Sequence, residues 1–233
     1  MPPVTLTGEE AAATRAGVAD RARLSLGTSH EAIYGMVRAA LAARGIRGGT
    51  LVDVGCGSGS LWPVVADRFD RYVGLDAVRY DGFPVAGDFH AVDLDVRPWP
   101  VGSAFGAVVA AVETIEHLES PWAFVRALAA VAAPGGWVVV TTPNQLSALS
   151  LLTLITKRRF SAFQDSHYPA HRTALLESDL QRMFADAGLR DTAIDYSLHG
   201  RLPFSGCHYP QAVARLAPRR LSDNVMVIGQ KRG

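Results

Sequence analysis

The stretch Leu51-Val-Asp-Val-Gly-Cys-Gly-Ser-Gly-Ser60 constrains this chain more than any other. Its apolar opening suits a buried strand. Three alternate glycines, Gly55, Gly57 and Gly59, then suit a turn whose backbone must come close to another group, a ligand first of all. The apolar segment Leu61 to Arg68 is expected to open as a helix whose first N–H groups face the same spot. Strand, glycine loop and helix in that order make a nucleotide cradle.

The dinucleotide fingerprint is G-x-G-x-x-G, and here the third glycine comes one residue early, which weakens a nicotinamide reading. With Asp53 two residues before Gly55, the stretch resembles motif I of the class I S-adenosylmethionine (SAM) dependent methyltransferases, D-x-G-x-G-x-G. In that family the motif wraps the amino-acid part of the cofactor. The resemblance implies that Asp53, Gly55, Cys56, Gly57 and Gly59 bind SAM.

Arg71 to Asp76 reads as a second strand ending in a carboxylate. Asp76 falls about twenty residues beyond the first glycine, where a second parallel strand sets an acid against ribose hydroxyls, with Ala77 beside it. An ionised carboxylate accepts two hydrogen bonds, as a vicinal diol requires. A third strand is expected over Phe89 to Leu94, and Ala91-Val-Asp-Leu94 is similar to the family segment that reads adenine. There Asp93 would accept from the exocyclic amine while Leu94 packs on the ring, and Asp88 and Asp95 compete for the polar role.

Ala107 to Val112 is continuously apolar, as a central parallel strand buried on both faces must be. It runs into Glu113-Thr-Ile-Glu-His-Leu118. A helix over Pro121 to Ala133, stopped by Pro134-Gly135-Gly136, and a strand over Trp137 to Thr142 follow. This segment, closed by Pro143-Asn144, resembles the middle of the methyltransferases that include the ubiquinone-pathway O-methyltransferases. The fold implied is one doubly wound, Rossmann-like α/β domain over residues 1–233, with a mostly parallel seven-stranded sheet and an antiparallel last strand.

If Glu113 to His117 begins a helix, Glu113, Glu116 and His117 project toward one side at i, i+3 and i+4. Two carboxylates and an imidazole can hold a divalent cation such as Mg²⁺ or Mn²⁺. A further ligand would come from His167 or His171. The Glu-x-x-Glu-His pattern is similar to that of the small-RNA 3′-terminal 2′-O-methyltransferases, which use it with a later histidine to bind metal. That resemblance implies a metal set of Glu113, Glu116, His117 and His171. Equally open is His117 as a general base oriented by Glu116. A purely structural role for the pair is the third reading.

The flanks are expected to differ from the centre. Residues 1–48 read as N-terminal helices, one within Glu9 to Arg23 and one from His30 to Arg44 capped by Ser29. Residues 145–175 hold an apolar helix and then Lys157-Arg-Arg159. They suit a lid over a hydrophobic acceptor, a dimer contact, plain core packing or a membrane-surface contact. A helix through Leu176 and Phe184 stops at Gly188, and strands over Ile194 to Leu198 and Val225 to Gln230 bracket a second insert, 200–222.

A net charge of +1 provides no broad basic field for nucleic acid, so RNA is not favoured as a partner. Two cysteines, Cys56 and Cys207, form no metal or disulfide framework, and the longest apolar run is too short to span a bilayer. A cytoplasmic enzyme is expected. It would methylate a small-molecule hydroxyl on an acceptor of hydrophobic character and release S-adenosylhomocysteine (SAH). The alternatives are metal-assisted 2′-O-methylation of an RNA ribose and a SAM-binding scaffold without catalysis.

Overall fold

Leu51 and Val52 are adjacent in sequence and belong to two different apolar clusters, because successive side chains of a strand leave opposite faces. The computed structural model, which describes Gly17, Asp20 and residues 27–233, builds both clusters around one sheet. Its strands are β1 (Thr50–Val54), β2 (Arg71–Asp76), β3 (Asp88–Ala91), β4 (Gly106–Ala111), β5 (Ala132–Pro143), β6 (Leu189–Tyr196) and β7 (Asn224–Lys231). Their order is β3-β2-β1-β4-β5-β7-β6. The pairs among β1 to β5 are parallel, and β7 alone runs antiparallel to its neighbours β5 and β6. This is the expected doubly wound sheet.

The helices α1 (Glu31–Ala43), α2 (Trp62–Val65), α3 (Pro121–Val131), α4 (Ala148–Lys157), α5 (Glu177–Asp186) and α6 (Gln211–Ala214) fill the connections. On one face α1 lays Ile33, Val37 and Leu41 against Leu51, Val108 and Ile228. On the other, Phe124 and Leu128 of α3 and Leu180 and Phe184 of α5 cover Val109 and Val138. Each such side chain, fully buried, contributes about 1.5–3 kcal/mol.

Local boundaries depart from the sequence reading for identifiable reasons. His30, not Ser29, caps α1, its Nδ1 accepting the Ala32 N–H at 3.1 Å. The Glu9 to Arg23 helix falls almost wholly outside the described residues, of which Gly17 and Asp20 are helical. The Leu61 to Arg68 segment is helical only to Val65 and then tightens into a 3-10 turn, Ala66–Arg68. β3 stops at Ala91, which leaves Asp93 and Leu94 in a loop.

Pro134-Gly135-Gly136 ends α3 early but lies inside β5, where the register against β4 shifts. A β-carbon at Gly136 would stand 2.8 Å from the Gly106 carbonyl oxygen, so the irregular pairing needs glycine there.

Candidate active site

Strand order reverses between β1 and β4, and in an open α/β sheet that is where a crevice opens beyond the carboxyl ends of the strands. A cleft of about 500 Å³ occupies the place. Its walls come from the glycine loop after β1, the ends of β2 and β4, the loop after β3, residues 27–34 and residues 166–171. Of the expected cofactor residues, Asp53, Gly55, Cys56, Gly57, Asp76, Ala77, Asp93 and Leu94 all line it.

The glycine loop is held by protein as well as shaped for a ligand. Gly55, Gly57 and Gly59 all have positive φ, of 75°, 52° and 75°. A β-carbon at Gly55 would meet Thr114 at 2.3 Å, and one at Gly59 would meet Pro84 at 2.3 Å. The close approach read from the glycines is therefore in part an approach to Thr114, Gly27 and Pro84. The Gly55 N–H donates to the Leu75 carbonyl at 2.7 Å, and the Gly57 N–H to Asp76 Oδ2 at 2.8 Å. These bonds tie the loop to β2.

The carboxylates under the loop are held toward their neutral forms. Burial pushes Asp53 up to about 7, opposed by the hydroxyl that Tyr72 donates at 2.8 Å and helped by nearby Asp76. Burial also raises Asp76, against donation from the Gly57, Val78 and Ala77 N–H groups. Asp93 accepts the Asp95 N–H at 2.9 Å, which fixes the loop after β3. The cleft lining holds six acids and, among the described residues, no lysine or arginine. A cationic ligand such as a sulfonium would draw these acids back toward their charged forms, which an anionic pyrophosphate would not.

After β4 the chain does not enter a helix directly. Glu113 takes the left-handed conformation, φ 49°, and a 3-10 turn, Ile115–His117, follows. The turn separates Glu113 from the other two residues. Its Oε1 accepts from Thr141 at 2.8 Å and its Oε2 from the Asn224 amide at 2.7 Å. Glu116 is 1% exposed; its Oε2 accepts from Thr142 at 3.2 Å and its Oε1 has no hydrogen-bond partner among the described residues. Burial, with the two carboxyls so near each other, raises the pKa of this pair.

His117 meets a histidine from the distant insert. Its Nδ1 lies 2.9 Å from the Ala170 carbonyl, and His171 Nδ1 lies 2.7 Å from the Ala162 carbonyl. A carbonyl only accepts, so both Nδ1 atoms carry the proton and both Nε2 atoms keep a lone pair. The rings meet edge to face, centroids 4.8 Å apart. Burial lowers His117 against the pull of the Ala170 and Glu113 carbonyls and Asp76, and burial with His117 nearby brings His171 down to about 4. Ligand atoms of Glu116, His117 and His171 lie within 4.8 Å of one another, so three of the four expected metal residues come together and Glu113 does not join them.

Several site residues went unread in the sequence. Tyr72 supports Asp53 from a position that looks like ordinary strand core. Thr141 and Thr142 hold the two glutamates from β5, and the Gly27-Thr-Ser-His30 run that walls the cleft has no motif of its own.

A doubly wound sheet with a glycine loop and strand-end acids at its switch point marks a nucleotide-binding crevice. A methyltransferase-domain family model matches residues 30–194, and the chain belongs to that family, as a class I SAM-dependent methyltransferase. Similar curated proteins are the ubiquinone biosynthesis O-methyltransferases of Chromobacterium violaceum and Idiomarina loihiensis. The first is 29% identical over 155 residues, 62% of this chain and 66% of that protein; the second is 27% identical over 161 residues, 65% of each. The matches thus span just under two thirds of those relatives. A SAM dependent methyltransferase from Archaeoglobus fulgidus shares the fold at 16% identity and TM-score 0.59, over 85% of this chain and 94% of that one. So does the 1,6-didemethyltoxoflavin-N1-methyltransferase of Burkholderia thailandensis, solved with 1,6-didemethyltoxoflavin and S-adenosylhomocysteine, at 14% identity and TM-score 0.58, over 100% and 93%.

Proposed function

We propose that this chain methylates a hydroxyl oxygen of a small molecule, with SAM as donor and SAH as by-product. The observation that carries the reading is the lone pair on His117 Nε2, in the same cleft as the glycine loop and beside the unpartnered Oε1 of Glu116. Bound there, SAM supplies an electrophilic methyl group for in-line transfer to oxygen. The loop from Gly55 to Gly59 and the acids Asp53, Asp76 and Asp93 hold the donor by its positive charge and its hydroxyl and amine groups. His117 takes the acceptor's proton on Nε2, and its Nδ1–H bond to Ala170 fixes the ring for that task. Glu116 lies close enough to stabilise the imidazolium that results.

The orphaned Glu116 Oε1 favours a second reading of the same trio. Two imidazole lone pairs and one carboxylate oxygen suit a divalent cation such as Mg²⁺ or Mn²⁺, held by Glu116, His117 and His171. When bound, such an ion would lower the pKa of an acceptor hydroxyl. Among the described residues the cleft wall holds no arginine or lysine to partner RNA phosphates, and this, together with Ile33, Tyr34 and Leu118 in the wall, supports a neutral, partly hydrophobic acceptor over RNA.

The test is calorimetric titration with SAM and with Mn²⁺, alongside SAH production on a panel of phenols and alcohols with and without chelator. Turnover indifferent to chelator supports His117 as base. Turnover lost on chelation and restored by Mn²⁺ supports the metal reading. SAM binding with no SAH formed on any acceptor points to a scaffold, and a product methylated on carbon or nitrogen overturns the oxygen assignment.

A further inference from the structure

We propose that His30, His199 and His208 form an acid-sensitive latch, which holds the hairpin 200–209 against the wall of the cleft and releases it when the imidazoles take up protons. This goes beyond the methyl-transfer reading and does not depend on which atom is methylated. His199 is the middle plate of the stack, its centroid 4.1 Å from that of His30 and 3.9 Å from that of His208. The two end rings lie 6.5 Å apart. Interplanar angles along the stack are only 22° and 27°. Imidazole lone pairs lie in the ring plane, so near-parallel rings do not aim them at a common point, and the trio is not arranged as a metal chelate. Face-to-face contact suits uncharged rings and is opposed between two imidazolium ions.

Each plate belongs to a different part of the chain. His208 sits on the hairpin, where an antiparallel bridge pairs it with Arg201, and the Leu202 and Tyr209 N–H groups donate to the Cys207 and Gly200 carbonyls, both at 2.9 Å. His199 follows β6. His30 lines the cleft and caps α1 through Nδ1. The residues just before it are bonded to the glycine loop: the Gly27 carbonyl accepts the Ser58 N–H at 2.8 Å, and the Thr28 and Ser60 hydroxyls lie 3.3 Å apart. The stack thus joins the hairpin to the segment that walls the glycine loop.

Protonation acts at two points. An imidazolium carries N–H on both nitrogens, so a protonated His30 no longer accepts the Ala32 N–H, and α1 loses its cap. A second proton in the stack sets like charges face to face. The charged groups around the rings are Glu31 on α1, Arg201 on the hairpin and Asp223 ahead of β7, with Cys207 and Tyr209 flanking His208 in the sequence. Asp223 Oδ2 already accepts from Arg201 Nε at 2.8 Å and from the Arg201 N–H at 3.2 Å. That leaves Glu31 to offset one added charge, not two. Burial lowers the pKa of His199, His208 and His30 add to the effect, and Asp223 and Glu31 oppose it. The closed stack therefore binds fewer protons than the opened one and weakens as pH falls.

The experiment is hydrogen–deuterium exchange of the full chain, read on peptides at about pH 7.5 and about pH 5.5 and corrected for the intrinsic pH dependence of exchange. Protection of peptides covering 200–209 and 27–34 is expected to fall together by about tenfold between the two, while β4 stays protected. His199→Phe keeps a middle plate that takes no proton and accepts a charged neighbour on its face, so the loss in the hairpin should shrink to under about twofold. His208 is exposed, so His208→Phe repeats the test without burdening the fold, and it should at least roughly halve the loss. Parent protection that does not change with pH overturns the proposal. So does a loss of parental size in both variants, which would trace the loosening to the acids of the cleft. Protection at about pH 7.5 that requires Zn²⁺ and is lost to a chelator overturns it as well, by making the trio a metal site.

Discussion

A β-carbon at Gly57 would stand 2.1 Å from the carbonyl oxygen of Gly27, closer than any side chain tolerates. The same carbonyl accepts the Ser58 N–H at 2.8 Å and the Ser58 hydroxyl at 3.1 Å. The segment before α1 is thus laid on the glycine loop and becomes a wall of the cleft. Gly57→Ala must push the two apart and also carry a φ of 52°. It should cost about 1–3 kcal/mol in thermal or denaturant unfolding and at least tenfold in SAM affinity. An unchanged affinity would show that the seat of the cofactor does not depend on this contact.

Asp53 gives the molecule a pH dependence of definite sign. In the folded chain its pKa stands at about 7, against an ordinary 3.8. Between those values the folded state keeps a proton that the unfolded state has released, so stability should fall as pH rises through that window and level off above it. Affinity for a cationic donor should run the other way and rise toward about pH 7 as the carboxylate ionises. Asp53→Asn should flatten both curves, read by unfolding and by calorimetry.

Glu113 lines the cleft, yet its carboxylate is turned to the protein. Its two oxygens are taken by Thr141 and Asn224, and burial favours its neutral form. Glu113→Gln preserves shape and should change stability by less than about 1 kcal/mol, whereas Glu113→Ala strands both partners and should cost about 1–3 kcal/mol. Chemical denaturation of the two variants decides it.

How far these features were legible in the sequence depended on how local they were. The glycine loop, the strand ending at Asp76 and the apolar run of β4 each announce themselves within ten residues, and the doubly wound class follows from the family resemblance they carry. Glu113 shows where local reading stops. Spacing alone put it on one face with Glu116 and His117, but the helix that spacing assumed is a left-handed residue followed by a 3-10 turn. The pairing of His117 with His171 depends on how a lid folds back across 54 residues, which periodicity does not encode. The cap of α1 slipped by one residue because an imidazole at position 30 can accept the N–H that Ser29 was expected to take.

That cap is itself testable. His30 Nδ1 satisfies one of the otherwise unpaired N–H groups that open α1, and its ring stacks on His199 with centroids 4.1 Å apart. His30→Ala should cost about 1 kcal/mol, and His30→Asn, which keeps an accepting side chain, should recover most of it. Equal losses in both variants would assign the stability to the stack with His199 rather than to the cap.

The assignment of His117 as the base stands on one nitrogen. Asparagine at this position can still donate to the Ala170 carbonyl through its amide, but it has no lone pair of imidazole basicity. His117→Asn should therefore leave folding and SAM affinity within about twofold of the parent while lowering kcat by about 10²–10⁴-fold. Burial lowers the pKa of His117 from 6.5, so the imidazole is neutral at neutral pH and stays competent somewhat below it. The acid limb of the parent's rate profile should lie below pH 6.5 and vanish in the variant. A variant of full activity, or one that retains the same limb, would move proton removal away from His117 and leave Glu116 with a cation as the remaining means of activating the hydroxyl.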